Sequence, residues 1–201
     1  MVPVVVADGT LDGRHLRRVA NRAAVLDAMI DLWRDGHYEA TAAEIAERAG
    51  LSPRSLFRYF DDVDDLVRAA IDHVLALASG VGVIRVDPAE DTAVKIGALL
   101  ASRDELYRTV GVAAHAARVA QHRSSLVAER IAETRRTMRD QLSRLFAREL
   151  ATAAAGVLEL VDLMTSFEAW ELRQGWDPVA RPPAETLLAA TLTTLLSEES
   201  R

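Results

Sequence analysis

Two helix-start signals close to residue 50 constrain the fold more than any other feature of this chain. Thr41-Ala42-Ala43-Glu44 has the pattern of a capping box, in which the Thr hydroxyl and the Glu carboxylate each accept a backbone amide of the other residue. Ser52-Pro53 is a second start, because Ser is a strong N-cap and Pro at the first helical position gives up an amide that has no partner. Only Ala49-Gly50-Leu51 lies between the helix that the capping box starts and the helix that Ser52 starts. This arrangement predicts a helix-turn-helix.

The rest of the chain is also expected to be helical. Only 10 Gly and 6 Pro occur in 201 residues, and most of them separate long stretches rich in Ala, Leu, Arg and Glu. These side chains favour a helix because they lose little rotamer freedom in it. Half of the residues are apolar, which argues against disorder over most of the length. The predicted fold class is all-α.

Apolar periodicity and turn residues locate the helices and the domains. The predicted helices span residues 16–35, 41–50, 53–59, 62–78, 89–102, 104–120, 122–148, 151–174 and 183–198. The clearest break, at 79–88, contains two Gly and one Pro. We therefore expect an N-terminal arm (1–13), a three-helix helix-turn-helix domain (14–78) and a helical rear domain (79–201).

Several classes of protein are not expected. There is no Cys, so disulfides and thiolate metal sites are unavailable. No run approaches the roughly 18–20 apolar residues of a membrane span, and the apolar patch at 2–7 is too short for a secretory signal. No Gly-rich phosphate loop or evident acid/base pair indicates an enzyme, and no cluster of His residues indicates a metal site. We expect a cytoplasmic protein without a cofactor.

Charge is divided unevenly along the chain. The net charge is −6, yet Arg14 to Phe60 contains eight Arg against six Asp or Glu. A mildly basic front and an acidic rear fit a protein that touches phosphates with one end. Ordinary scatter of surface charge explains so small a difference nearly as well.

A dense set of residues at fixed spacing runs through the first four predicted helices. The set is Arg22, Val25, Leu26, Ala28, Leu32, Trp33, Tyr38, Thr41, the run from Ile45 to Ser52, the run from Leu56 to Phe60, Asp64, Asp65 and Leu66. This pattern resembles the DNA-binding domain of the tetracycline-repressor (TetR) family. The resemblance covers about a quarter of the chain. Three positions depart from the family pattern: His37 stands where Gly is usual, and Phe57 and Val63 replace a common Tyr and a common Lys that contact phosphates.

The resemblance implies a sequence-specific DNA-binding transcriptional regulator. A repressor that binds palindromic double-stranded DNA as a homodimer, and that an apolar small molecule releases, is the leading hypothesis. The alternative is a protein-interaction module that keeps the helix-turn-helix as structure only.

The candidate DNA contacts lie at the starts of the second and third helices. An α-helix fits the major groove, and residues of its first turn reach the base edges. Arg54 can hold guanine O6 and N7 in bidentate fashion, and amides at a helix start can meet a phosphate. The alternative is a solvated helix face without DNA binding. The predicted contacts are Thr41, Ala42, Ser52, Pro53, Arg54, Ser55, Arg58 and Tyr59.

Aromatic and Met side chains of the rear domain are candidates for an apolar ligand pocket. Packing in the core is the alternative for each of them. The predicted pocket residues are Tyr107, Met138, Phe146, Met164, Phe167 and Trp170.

Apolar stripes on the last two predicted helices are candidates for a dimer interface. Two such helices can form a hairpin that pairs with its copy as a four-helix bundle. The alternative is that the stripes close the core of the monomer. The predicted interface residues are Val157, Leu160, Met164, Leu188, Leu192 and Leu195.

Overall fold

The computed structural model describes residues 9–174 and 184–197, and within those ranges it is all-α. Its ten helices are α1 (Gly9–Arg34), α2 (Ala42–Arg48), α3 (Pro53–Leu56), α4 (Val63–Leu77), α5 (Thr92–Ala120), α6 (Ser125–Leu145), α7 (Ala147–Leu150), α8 (Val157–Met164), α9 (Phe167–Gln174) and α10 (Ala184–Leu196). The predicted fold class is confirmed. Residues 1–8 of the predicted arm lie outside the described residues, and α1 takes in the rest of it. No helix in the described ranges is long and apolar enough to cross a membrane.

The predicted caps of the helix-turn-helix are present. The Thr41 hydroxyl accepts from the Glu44 amide at 3.3 Å, and the Thr41 amide donates to the Glu44 carboxylate at 2.7 Å. This backbone hydrogen bond lowers the pKa of Glu44. Ser52 accepts from the Ser55 amide at 3.2 Å, and Asp62 accepts from the Asp65 amide at 2.8 Å at the start of α4. Local sequence therefore determines where these helices begin.

Two glycines shape the turns on either side of α2. Gly36 has φ +84° after α1, and Gly50 has φ +67° between α2 and α3. Such values strain any residue with a Cβ, so Gly is required at both positions. No other residue type in the described ranges has a positive φ, so Gly36 absorbs the turn beside His37.

The predicted helix boundaries of the rear domain are wrong in two places. The predicted gap at residue 103 is absent, because α5 runs for 29 residues and buries Ser102 and Arg103. The predicted helix 151–174 is instead divided into α8 and α9. The Thr165 hydroxyl donates to the Val161 carbonyl at 2.7 Å, and the Ser166 hydroxyl caps α9 by accepting from the Ala169 amide at 3.2 Å. Side-chain competition for backbone groups explains this break.

Three clusters of buried side chains hold the helices together. The first is the helix-turn-helix core, in which Trp33, Ile45, Leu56 and Leu66 are almost fully buried. This core extends to alanines of α5, such as Ala116. The helix-turn-helix therefore packs directly on the rear half of the chain.

The other two clusters lie further from the helix-turn-helix. The distal core joins α5, α6, α8 and α10 through residues such as Leu99, Leu142, Val161 and Leu192. A small aromatic cluster, which includes Tyr107 and Phe167, lies between the two larger cores. This middle region contains the cavity described below.

Candidate functional site

The third helix presents two unpaired arginines to solvent. α3 ends at Leu56, and the chain continues in i→i−3 turns to Tyr59, so the regular helix is shorter than the predicted 53–59. Leu56 and Phe60 point inward and are almost fully buried, as predicted. Arg54 and Arg58 are exposed, and neither guanidinium has an ion pair or a hydrogen bond within the described residues. Both are therefore free to meet a nucleic acid.

The other predicted contacts are exposed to different degrees. Pro53 is exposed and Ala42 is half-buried. The Ser52 and Ser55 hydroxyls share a hydrogen bond of 3.0 Å, and the Tyr59 hydroxyl accepts from the Asn21 amide at 3.1 Å. Thr41 is held on both its amide and its hydroxyl by Glu44. A phosphate at Thr41 must therefore compete with the Glu44 carboxylate.

Phe57 and Val63, which replace the common Tyr and Lys of the family pattern, also have different surroundings. Phe57 is 47% exposed, so an apolar ring stands on the surface of the helix-turn-helix. Val63 is half-buried against the core of that domain. Neither side chain can donate a hydrogen bond to a phosphate.

A cavity of about 410 Å³ opens in the middle region of the protein. Its wall is contributed by α4, α5, α6, α8 and α9. Volumes of this size are typical of sites for small organic ligands. The apolar part of its lining includes Ile71, Leu75, Val110, Ile131, Met138 and Phe167.

Three of the six predicted pocket residues line this cavity, namely Tyr107, Met138 and Phe167. Trp170 is not in the lining but supports it, since its ring stacks on that of Phe167 with the centroids 5.8 Å apart. Phe146 and Met164, in contrast, were predicted to line the pocket but do not. Phe146 is almost fully buried in the distal core, and Met164 packs against the same core.

Tyr107 is fixed in the wall of the cavity. Its hydroxyl donates to the Thr165 carbonyl at 2.8 Å, at the break between α8 and α9. Burial raises the pKa of Tyr107 to about 12, so the phenol is neutral near pH 7. The Phe167 ring lies edge-on to Tyr107, with 5.5 Å between the centroids.

The cavity also contains a charged residue absent from the predicted set. Arg103 is only 3% exposed, and its buried Nε has no hydrogen-bond partner. Burial lowers the pKa of Arg103. The sequence contains a signal for this position, because Arg103 continues the apolar stripe of Ile96, Leu99 and Tyr107 at steps of three and four. The predicted break at this residue concealed that stripe.

The structure contradicts three of the predicted dimer contacts. Val157, Leu188 and Leu192 are buried inside the monomer, where they pack in the distal core. These residues close the core of the monomer, which is the alternative to a dimer interface. Of the other predicted contacts, Leu160 is 44% exposed, whereas Met164 and Leu195 are half-buried against the same core.

Helix α4 belongs both to the helix-turn-helix core and to the cavity wall. Leu66 and Val67, near the start of α4, are buried in the first core. Ile71 and Leu75, one and two turns further on, line the cavity. Asp72 of the same helix is paired with Arg130 of α6 at 2.6 Å. Helix α4 therefore connects the wall of the cavity with the core of the helix-turn-helix domain.

Comparison with known proteins is consistent with this arrangement. Residues 25–70 match the family described as bacterial regulatory proteins, tetR family. A comparison with curated protein sequences gives no significant match.

Solved structures share the fold over most of the chain. A transcriptional regulator from Rhodococcus sp. Rha1 is 20% identical with a TM-score of 0.65, covering 87% of this chain and 95% of that one. A transcriptional regulator from Streptomyces coelicolor A3(2) is 21% identical with a TM-score of 0.61, covering 88% and 98%. The multidrug binding protein EbrR, solved with imidazole, is 20% identical with a TM-score of 0.60, covering 89% and 90%. Residues 25–70 thus match the tetR family model, and the chain as a whole shares its fold with these solved regulators.

Proposed function

We propose that this DNA-binding regulator is a repressor that binds a palindromic operator as a homodimer and is released when a small molecule occupies the cavity. The observation that carries the proposal is the position of α4, which joins the core beneath α3 to the wall of the cavity. A ligand that favours one position of α4 changes the population of molecules able to bind DNA. No catalytic role is assigned to any residue.

The proposed ligand site is supported by its composition and enclosure. Apolar side chains contribute most of the lining surface, and most of the polar and charged residues among them are held by hydrogen bonds or ion pairs within the protein. Such a combination is typical of sites that bind small organic molecules. The multidrug binding protein EbrR has the same fold, which is consistent with a ligand site here.

The proposed dimer surface is the exposed face of α10, together with Leu160 of α8. No charged residue occurs from Thr186 to Ser197, although charged residues form 27% of the chain. The Thr191 and Thr194 hydroxyls donate to backbone carbonyls of their own helix, so this face presents mainly methyl groups. Leu187 is 46% exposed on it. A second copy of the chain is the occupant that a two-fold operator requires.

Leu187→Arg is expected to convert the dimer to a monomer while the fold is retained. Leu187 is exposed in the monomer, but a charge in a desolvated interface costs on the order of several kcal/mol. Sedimentation velocity at micromolar concentration measures the change. The matched control is Leu172→Arg on α9, where the leucine is 67% exposed but lies off the proposed surface. A Leu187→Arg protein that dimerises with unchanged affinity would contradict this interface.

Arg54→Ala is expected to weaken binding to the best operator by about 1–3 kcal/mol and to random DNA by much less. The reason is that a guanidinium in the first turn of α3 can hold guanine O6 and N7 in bidentate fashion. The operator is first obtained by selecting bound duplexes from a random pool. Fluorescence anisotropy on the operator and on a scrambled duplex, at fixed salt, then gives both affinities.

Arg34→Ala is the matched control for Arg54→Ala. It removes an equal charge from the same domain, but Arg34 lies at the end of α1 and is paired with Asp31 at 2.7 Å. Equal losses on both duplexes for Arg54→Ala would show that Arg54 holds the DNA backbone and reads no base. If the random pool yields no enriched duplex, the chain is the alternative, a protein-interaction module that retains a helix-turn-helix.

A further inference from the structure

Within the described residues, every charged side chain of the cavity lining except Arg103 has an ion-pair partner. Glu168 accepts from both Arg118 and Arg135, and Arg130 is paired with Asp72 and Glu133. Glu159 and Asp162 share Arg139, which lies just outside the lining. Within the described residues, Arg103 is the one charged group of the lining that has no carboxylate within 4.0 Å.

The Arg103 side chain is held in place, but not all of its N–H groups have a hydrogen-bond partner. Its Nη1 donates to Gln141 Oε1 at 3.2 Å, and its Nη2 donates to the Met138 carbonyl at 3.3 Å. A guanidinium has five N–H groups, so three remain, including the one on the fully buried Nε. Burial of a charge without a partner is costly, and an anion that binds there removes that cost.

We propose that the cavity binds an organic acid with an apolar body, whose carboxylate pairs with Arg103. The assignment rests on the proposed function, of which it specifies the ligand class. Nη1 and Nη2 each keep one N–H that is not used within the protein, and these two groups can hold a carboxylate through two hydrogen bonds. The apolar body then lies along Val110, Met138 and Phe167. Tyr107 does not compete for the acid, because its hydroxyl already donates to Thr165.

A cationic ligand fits these charges less well. Each carboxylate of the lining already has an arginine partner: Glu168 is paired with Arg118 and Arg135, and Glu159 and Asp162 share Arg139. Binding a cation requires one of these pairs to break and leaves Arg103 without a partner. A neutral ligand breaks no pair but leaves Arg103 without a carboxylate within 4.0 Å, since Asp162 acts on it only from a greater distance.

The test compares three probes of equal chain length, decanoate, decan-1-ol and decyltrimethylammonium, by isothermal titration calorimetry on the full-length protein. Decanoate is expected to bind about 10- to 100-fold more tightly than decan-1-ol, the range for a hydrogen bond to a charged group. Arg103→Met should remove this preference. Arg103→Lys, which keeps the charge but loses the paired N–H groups of the guanidinium, should retain part of it.

Arg135→Met is the matched control, because Arg135 also lines the cavity but is paired with Glu168. It should keep the full preference for decanoate. Equal binding of decanoate and decan-1-ol, or a preference that survives Arg103→Met, overturns the assignment. If decan-1-ol or the cation binds best and releases labelled operator in anisotropy, the assignment fails while the proposed function stands. If none of the probes binds, both fail.

Discussion

Leu192→Arg should prevent the rear half of the chain from folding stably. Leu192 is 0% exposed at the centre of the distal core, among Leu99, Leu142 and Val161. An arginine there leaves an unpaired charge in an apolar environment, at a cost of at least about 3–5 kcal/mol. Since natural domains are stable by only about 5–15 kcal/mol, we expect a large loss of helical circular dichroism at 25 °C.

The control for Leu192→Arg is Leu187→Arg on the same helix. The two substitutions are chemically identical, but Leu187 is exposed and faces away from the core. Leu187→Arg should therefore keep the helical signal of the wild type even when it is monomeric. A Leu192→Arg protein with a wild-type spectrum and a wild-type urea midpoint would show that Leu192 is not in the core of the monomer.

Lys95→Met should destabilise the protein by about 3–5 kcal/mol, although it replaces a charge with an apolar group. Lys95, the only lysine of the chain, is 0% exposed and lies 2.6 Å from Glu149 Oε1. It also donates to the Pro88 carbonyl at 3.1 Å, which fastens the loop before α5. Its loss leaves the buried Glu149 carboxylate with only the exposed Arg148 as a cation, at 3.8 Å. Urea unfolding at pH 7 measures the effect.

A double-mutant cycle separates this ion pair from simple packing. Lys95→Met/Glu149→Leu should recover most of the stability, because no buried charge remains. The exposed pair Arg34–Asp31 is the control, and Arg34→Met should cost less than about 1 kcal/mol. If the double variant is as unstable as the sum of the two single variants, the pair does not interact as described.

The cost of Lys95→Met should fall in acid. In the wild type, burial opposes ionisation of Glu149, but hydrogen bonds from Lys95 and Thr92 outweigh it and lower the pKa of Glu149 below its usual 4.5. The stability from this group is therefore present above the unfolded pKa and is lost as the pH falls through the folded pKa. In Lys95→Met the hydrogen bond and charge of Lys95 are lost while burial and the Thr92 hydrogen bond remain, so the pKa of Glu149 should rise relative to the wild type. The two proteins should thus converge in stability below about pH 4.5.

Features determined by neighbouring residues were predictable from the sequence. The capping box at Thr41, the cap at Ser52 and the turn at Gly50 each depend on contacts within a few residues. The inward positions of Leu56 and Phe60 follow from helical periodicity, and both are buried. Local rules therefore predicted the helix-turn-helix well.

Features that depend on distant partners were not predictable in this way. The apolar stripe at Val157 and Leu192 correctly indicates burial, but periodicity does not tell whether the covering surface comes from the same chain or from a copy. The pairing of Lys95 with Glu149 joins residues 54 positions apart, and no local pattern marks it. Arg103 lies on an apolar stripe, yet only the assembled cavity reveals that its guanidinium lacks a carboxylate.

The position of α4 in both the helix-turn-helix core and the cavity wall has a consequence for the cell. Coupling free energy between two sites is reciprocal, so in the proposed repressor the factor by which the ligand weakens operator binding is also the factor by which the operator weakens ligand binding. A protein molecule bound to its operator then binds the ligand more weakly than a free molecule does. The ligand concentration that induces half-maximal release would rise with the strength of each operator, so promoters with weaker sites would respond first.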